Sequence, residues 1–85
     1  MNYAGHECQR IPIVLANSFG KHTKRLDLSF NSLTTLEGLE SFLVLEELIL
    51  DNNSLNDGVN FCYLPLLNTL SLNNNKVFQI IINRK

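Results

Sequence analysis

Leu26-Asp-Leu28-Ser-Phe-Asn31-Ser-Leu33, Leu48-Ile-Leu50-Asp-Asn-Asn53-Ser-Leu55 and Leu70-Ser-Leu72-Asn-Asn-Asn75-Lys-Val77 decide the fold of this 85-residue chain. Each octet reads L-x-L-x-x-N-x-L/V, and the starting positions 26, 48 and 70 are 22 residues apart. Three octets in phase point to stacked units, each too small to bury its own apolar face and each doing so against its neighbours. Alternate side chains of a strand share one face. The pairs Leu26/Leu28, Leu48/Leu50 and Leu70/Leu72 therefore point into a core, and the residues between them point outward.

Asn31, Asn53 and Asn75 form a second column. The chain must turn after each strand, which leaves backbone N–H and C=O groups without a regular ladder. A carboxamide offers both donors and an acceptor, so it can satisfy such groups within and between turns. This Asn ladder is expected to be structural. The return segments carry apolar residues at steps of three or two: Leu33, Leu36, Leu39, Phe42 and Leu45, then Leu55, Val59 or Phe61, Leu64 and Leu67. Steps of three suit 3₁₀-like turns.

The pattern L-x-x-L-x-L-x-x-N-x-L-x-x-L-x-x-L is met from Leu45 through Leu55 and again from Leu67 through Val77. It resembles the 22-residue subclass of leucine-rich-repeat proteins, to which a type 1 phosphatase regulatory subunit and the spliceosomal A-prime protein belong. The resemblance implies an α/β leucine-rich-repeat solenoid with a short parallel β-sheet on the concave face. Its convex face would hold 3₁₀ or short helical turns, with a short helical cap at the N-terminal end. The stretches Lys24 to Asn31, Leu36 to Leu39 and Leu45 to Asn53, with Cys8, Ile11-Pro12 and Leu70, are similar to the N-terminal half of one member of this family. That likeness implies a role in melanocyte differentiation and pigmentation through an unnamed protein partner.

The expected organisation is an N-terminal cap over 1–22, three repeats over 23–77 with strands near 25–28, 47–50 and 69–72, and an irregular tail over 78–85. Ile11 to Phe19, with Pro12 in a first turn and Gly20 just past the end, reads as a short helix. Its apolar face would be Ile11, Val14, Leu15 and Phe19, covering Leu26 and Leu28. A shift of the repeat frame by 22 sets Ile11 against Leu33 and Val14 against Leu36, so a decayed repeat is the alternative. After Val77 the frame breaks. Val77 to Ile82 combines β-propensity with low charge, the profile of a pairing-prone segment. An uncapped end of this kind suits self-association, and a truncated or alternatively spliced form with little activity of its own is the competing reading.

Composition narrows the function. Net charge is −1 with no basic cluster suited to phosphates, which argues against nucleic acid as a partner and against an RNA-associated role. No run approaches the roughly 20 apolar residues of a membrane span, and no secretory signal stands at the start, so the expected location is cytoplasmic with nuclear access. Cys8 and Cys62 are then expected as reduced thiols, and the Asn52-Asn53-Ser54 sequon stays unmodified. His6 and His22 lack the companions of a catalytic or metal site, and the four glycines are scattered. A non-enzymatic chain without metal or cofactor is expected.

Outward strand residues would stack in columns: Arg25, Glu47, Thr69; Asp27, Ile49, Ser71; Ser29, Asp51, Asn73; and Phe30, Asn52, Asn74. They form a concave surface about 14 Å across at about 4.8 Å per strand. Ile49 and Phe30, flanked by charge, resemble the apolar centre and polar rim of a protein-binding patch. Arg25, Asp27, Ser29, Phe30, Glu47, Ile49, Asp51, Thr69, Ser71 and Asn73 are the candidate partner-binding residues.

Overall fold

The computed structural model describes residues 1–78 and the backbone of Ile82 and Asn83. Strands β1 (Arg25–Asp27), β2 (Glu47–Ile49) and β4 (Thr69–Ser71) form a parallel sheet in the order β1-β2-β4. Arg25 pairs with Glu47 and Glu47 with Thr69; Asp27 pairs with Ile49 and Ile49 with Ser71. The register is the sequence period of the repeat. Helix α1 (Ile13–Phe19) and a 3₁₀ turn at Leu39–Ser41 lie in the return segments, where β3 (Phe61–Cys62) pairs in parallel with β5 (Ile82–Asn83).

Packing follows the apolar positions. Leu26, Leu28, Leu33, Leu39, Phe42, Leu45, Leu48, Leu50 and Leu55 are all fully buried, with Leu36 and Leu64 close behind. At the position left open between Val59 and Phe61, Phe61 enters the core at 2% exposure and Val59 packs at its edge. In the third turn Leu67, Leu70, Leu72 and Val77 are partly buried. The described residues thus make leucine-rich-repeat-like α/β turns on a small parallel sheet with one short helix. They do not develop into the solenoid expected from the repeat.

The N-terminal end differs from the helical cap in an informative way. Residues 1–5 run beside β1: Asn2 bridges Asp27 in parallel, Asp27 N–H donates to the Met1 carbonyl, and Tyr3 and Gly5 N–H donate to the Asp27 and Ser29 carbonyls. Farther on, Ser32 N–H donates to the Cys8 carbonyl, as Ser54 does to Leu33 and Lys76 to Leu55. The first of these offsets is 24 residues and the others 21, so this turn is three residues longer than the rest. At a spacing of 25, Met1-x-Tyr3-x-x-His6-x-Cys8 lies over Leu26-x-Leu28-x-x-Asn31-x-Leu33. In this register the segment follows the course of a repeat turn, and Ile11 falls under Leu36 where the shift of 22 sets it under Leu33.

Backbone conformation supports this alignment. Phe30, Asn52 and Asn74, each just before a ladder Asn, have φ of 56°, 59° and 58°. Gly5 falls in the same column with φ of 72°, and glycine enters this left-handed region without the clash that a Cβ brings.

The extra length of this turn accommodates α1, whose buried face is Leu15 and Ala16, with Ile11 just before it. Val14 and Phe19, expected in that face, are 62% and 50% exposed. A seven-residue helix has fewer than two turns, and at about 100° per residue Val14 cannot share a narrow buried face with Leu15 and Ala16. Gly20 follows in a right-handed conformation, φ −55°, not the left-handed one of a terminating glycine. What it supplies is close approach. A Cβ there would stand 2.8 Å from the Ser41 carbonyl oxygen.

In the segment expected to be irregular, Ile82–Asn83 are strand β5, and Phe78 N–H donates to Asp57 Oδ1 at 2.6 Å. The rest of that segment, including residues 79–81 of the pairing-prone run, lies outside the described residues.

Candidate functional site

The Asn ladder builds the floor of the sheet surface. Asn53 Oδ1 accepts from Leu33 N–H at 2.9 Å, and its Nδ2 donates to Leu28 and Leu50 carbonyls at 3.0 Å, with a longer 3.3 Å contact to Asp51. Two amide hydrogens shared among three carbonyls make the 3.3 Å contact the weakest of them. Asn75 repeats the scheme one turn on, accepting from Leu55 and donating to Leu50 and Leu72. Asn31 accepts from His6 and Cys8 and donates to Tyr3 and Leu28. Each ladder Asn therefore ties its own turn to the preceding one. His6, in the matching column of the N-terminal turn, instead stacks its ring on Tyr3 at 4.0 Å.

A second polar layer lies on the outward face. Asp27 Oδ1 accepts from the Ser29 hydroxyl at 2.6 Å and from Ser29 N–H at 3.0 Å. Asp51 Oδ1 accepts across the strand gap from the Ser71 hydroxyl at 2.6 Å and from Asn73 N–H at 2.8 Å. Asn74 Nδ2 donates to Asn52 Oδ1, and Arg25 faces Glu47 at 3.4 Å. Both side chains of that ion pair are nearly half exposed, so solvent screens it and it adds little to stability. Among the described residues, every buried side-chain nitrogen and oxygen has a hydrogen-bond partner.

Of the ten candidate contact residues, Arg25, Phe30, Thr69 and Asn73 are exposed, and Asp27, Glu47, Ile49, Asp51 and Ser71 are partly buried. Ser29 is the exception. At 7% exposure, with its carbonyl taken by Gly5 and its hydroxyl by Asp27, it is buried and offers a partner little surface. The N-terminal turn that covers it brings Asn2 into the Asp27 column of the sheet surface. Sequence reasoning missed Asn2. Its signal was the M-x-Y-x-x-H-x-C octet, whose apolar positions hold Met, Tyr and Cys in place of leucine.

Asp27 is the titratable group this geometry tunes. Burial pushes its carboxyl upward, but the two hydrogen bonds from Ser29, with Arg25 and the N-terminal ammonium nearby, outweigh that and hold it below the ordinary value. A depressed carboxyl contributes stability that is present above its unfolded pKa and lost as pH falls through the folded one. Wild type should therefore exceed Asp27→Asn in melting temperature at pH 7, with the gap closing below about pH 4. Melting curves from pH 7 to pH 2 check this; a constant gap would contradict it.

The convex side offers a cleft of about 380 Å³ between return segments, lined by Thr34, Leu36, Glu37, Glu40, Phe61 and Cys62 among others. Burial, and then the Glu40 carboxylate, push the Cys62 thiol up against a smaller opposing backbone hydrogen bond. It is thus kept protonated at neutral pH and is a poor nucleophile. No cluster of three or more His, Cys, Asp or Glu side chains able to hold a metal ion occurs among the described residues. None of their helices is long and apolar enough to cross a membrane.

Over 57 residues the chain is 51% identical to the leucine-rich melanocyte differentiation-associated protein of Homo sapiens, a match covering 64% of this chain and 29% of that protein. The chain thus spans less than a third of the length of the relative it matches. That relative is a leucine-rich-repeat protein, a kind that typically lacks catalytic activity. No protein-family profile matches the chain, and no solved structure matches it.

Proposed function

We propose that the outward face of the β1-β2-β4 sheet is a protein-docking surface, carried on leucine-rich-repeat-like turns and free of catalytic duty. By similarity to the melanocyte differentiation-associated relative, its partner is a protein acting in pigment-cell differentiation. The observation that carries this reading is Phe30. It is 65% exposed and held at φ 56° in a column otherwise filled by glycine and asparagine. A bulky side chain in the left-handed region costs on the order of 1 kcal/mol, and strain of that kind gathers at functional positions. Ile49, half-buried between Asp27 and Ser71 in its column, supplies a second apolar contact inside a polar rim.

Phe30→Asn should raise stability by about 1 kcal/mol, because Asn accepts the left-handed conformation. The same substitution should abolish partner capture. Ile49→Glu should abolish capture with the circular dichroism spectrum unchanged. The measurement is affinity capture from pigment-cell lysate read by mass spectrometry, with urea melts in parallel. Recovery of the same proteins by wild type and both variants would remove this face from consideration.

A further inference from the structure

Charge is unevenly distributed along the chain. Residues 10–25 hold Arg10, Lys21, Lys24 and Arg25 with no Asp or Glu, whereas residues 26–78 hold seven carboxylates against Lys76. Arg25 is turned to the sheet surface, where it faces Glu47. The other three cations are exposed and flank α1 in sequence, Arg10 three residues before it and Lys21 and Lys24 two and five residues after it. That helix is about 10 Å long at 1.5 Å per residue, and it presents Ile13 and Val14 to solvent at 72% and 62% exposure. Phe19 at its end is 50% exposed. Leu43, two residues beyond Ser41, whose carbonyl abuts Gly20, is 59% exposed.

Exposed aliphatic side chains on a short helix, with Lys and Arg on the segments either side of it, fit an anionic lipid surface. Ile13 and Val14 would enter the headgroup layer while the cations lie along it, their stems following the apolar surface. We infer that α1 with Arg10, Lys21 and Lys24 is a peripheral docking patch for membranes bearing anionic lipids, on a different element from the proposed protein-docking sheet face. The patch protrudes and has no socket of its own. The crevice beside it measures about 160 Å³, below the usual size of a ligand pocket, and Glu37 and Glu40 line it with Arg10. Those carboxylates temper Arg10 and leave Lys21 and Lys24 as the principal cations. An acidic protein would gain little from a surface with nothing to fill, whereas a bilayer takes up protruding groups.

The chain contains no tryptophan, so Ile13→Trp provides a single reporter. With phosphatidylcholine vesicles containing phosphatidylserine, its emission should shift to the blue and the protein should float with the vesicles. Both effects should fade with added salt and be absent with phosphatidylcholine alone. Lys21→Gln and Lys24→Gln should each weaken binding about fivefold. Thr69→Trp, on the sheet surface, should stay unshifted. No phosphatidylserine-dependent shift, or a shift equal at both reporter positions, would overturn the inference. So would binding to soluble poly-glutamate without binding to vesicles, which would reassign the patch to an acidic protein.

Discussion

Asn53→Leu is expected to lose about 1–3 kcal/mol of folding free energy, a sizeable share of the 5–15 kcal/mol typical of a domain. Leucine is nearly isosteric with asparagine, so the loss is one of hydrogen bonding and not of volume. The substitution strands Leu33 N–H, which Asn53 Oδ1 accepts at 2.9 Å, while the Leu28 and Leu50 carbonyls keep the bonds from Asn31 and Asn75. Each buried group left unpaired costs about 1–3 kcal/mol. Asn75→Leu should cost less, because two of the Asn75 donor contacts are longer, 3.3 and 3.4 Å, and Asn73 and Lys76 around it are exposed. Urea melts of the two variants against wild type decide the matter. Equal losses, or a loss at Asn53 below about 1 kcal/mol, would mean that solvent supplies the missing partners.

Gly20→Ala is the second large expectation, and its sign runs against the usual rule. At φ −55° alanine is conformationally acceptable, and such a replacement ordinarily stabilises by about 0.4–1 kcal/mol. Here the added Cβ would lie 2.5 Å from the Ala16 carbonyl oxygen and 2.8 Å from that of Ser41. Both obstacles are backbone, and moving them separates the end of α1 from the 3₁₀ turn at Leu39–Ser41. Overpacking of this kind costs about 1–3 kcal/mol. For a domain of this size that corresponds to a drop of about 10 °C in melting temperature. A melting temperature at or above wild type would show that α1 can stand off without penalty.

Period and polarity made the three main turns legible. Leu26, Leu48 and Leu70 occur at equal intervals, and the strands pair in that register. The ladder Asn could be read because a carboxamide supplies both donors and an acceptor, and asparagine carries it on a short arm suited to a tight turn. The N-terminal turn stayed hidden for two reasons. Its core positions hold Met1, Tyr3 and Cys8, and its length of 25 takes it out of phase with a frame of 22. Its ladder position holds His6, whose ring is engaged with Tyr3, so the side-chain hydrogen bonds that join this turn to the next come from Asn31, beside the backbone bonds of Met1, Tyr3, Gly5 and Cys8. Two differences between the expected and observed surface follow from that turn. Ser29 lies covered by residues that were read as a cap, and Asn2 joins a face to which it was not assigned. The exposure of Val14 and Phe19 is a separate matter of length. Apolar spacing suggests which side of a helix faces inward, but seven residues are too few for every apolar position to find cover.

The unequal lengths of the turns have a consequence for how such a chain can change over time. Between equivalent ladder positions the first turn holds 25 residues and the later ones 22, yet the bonds from Asn31, Asn53 and Asn75 to the preceding turns follow one scheme. All the added length is taken up on the side away from the sheet, where α1 sits. Insertions and deletions in the return segments are therefore insulated from the strand register. A lineage can gain, lose or resize a helix on one side of the molecule while its opposite side keeps every residue in place. The two faces are free to evolve at different rates.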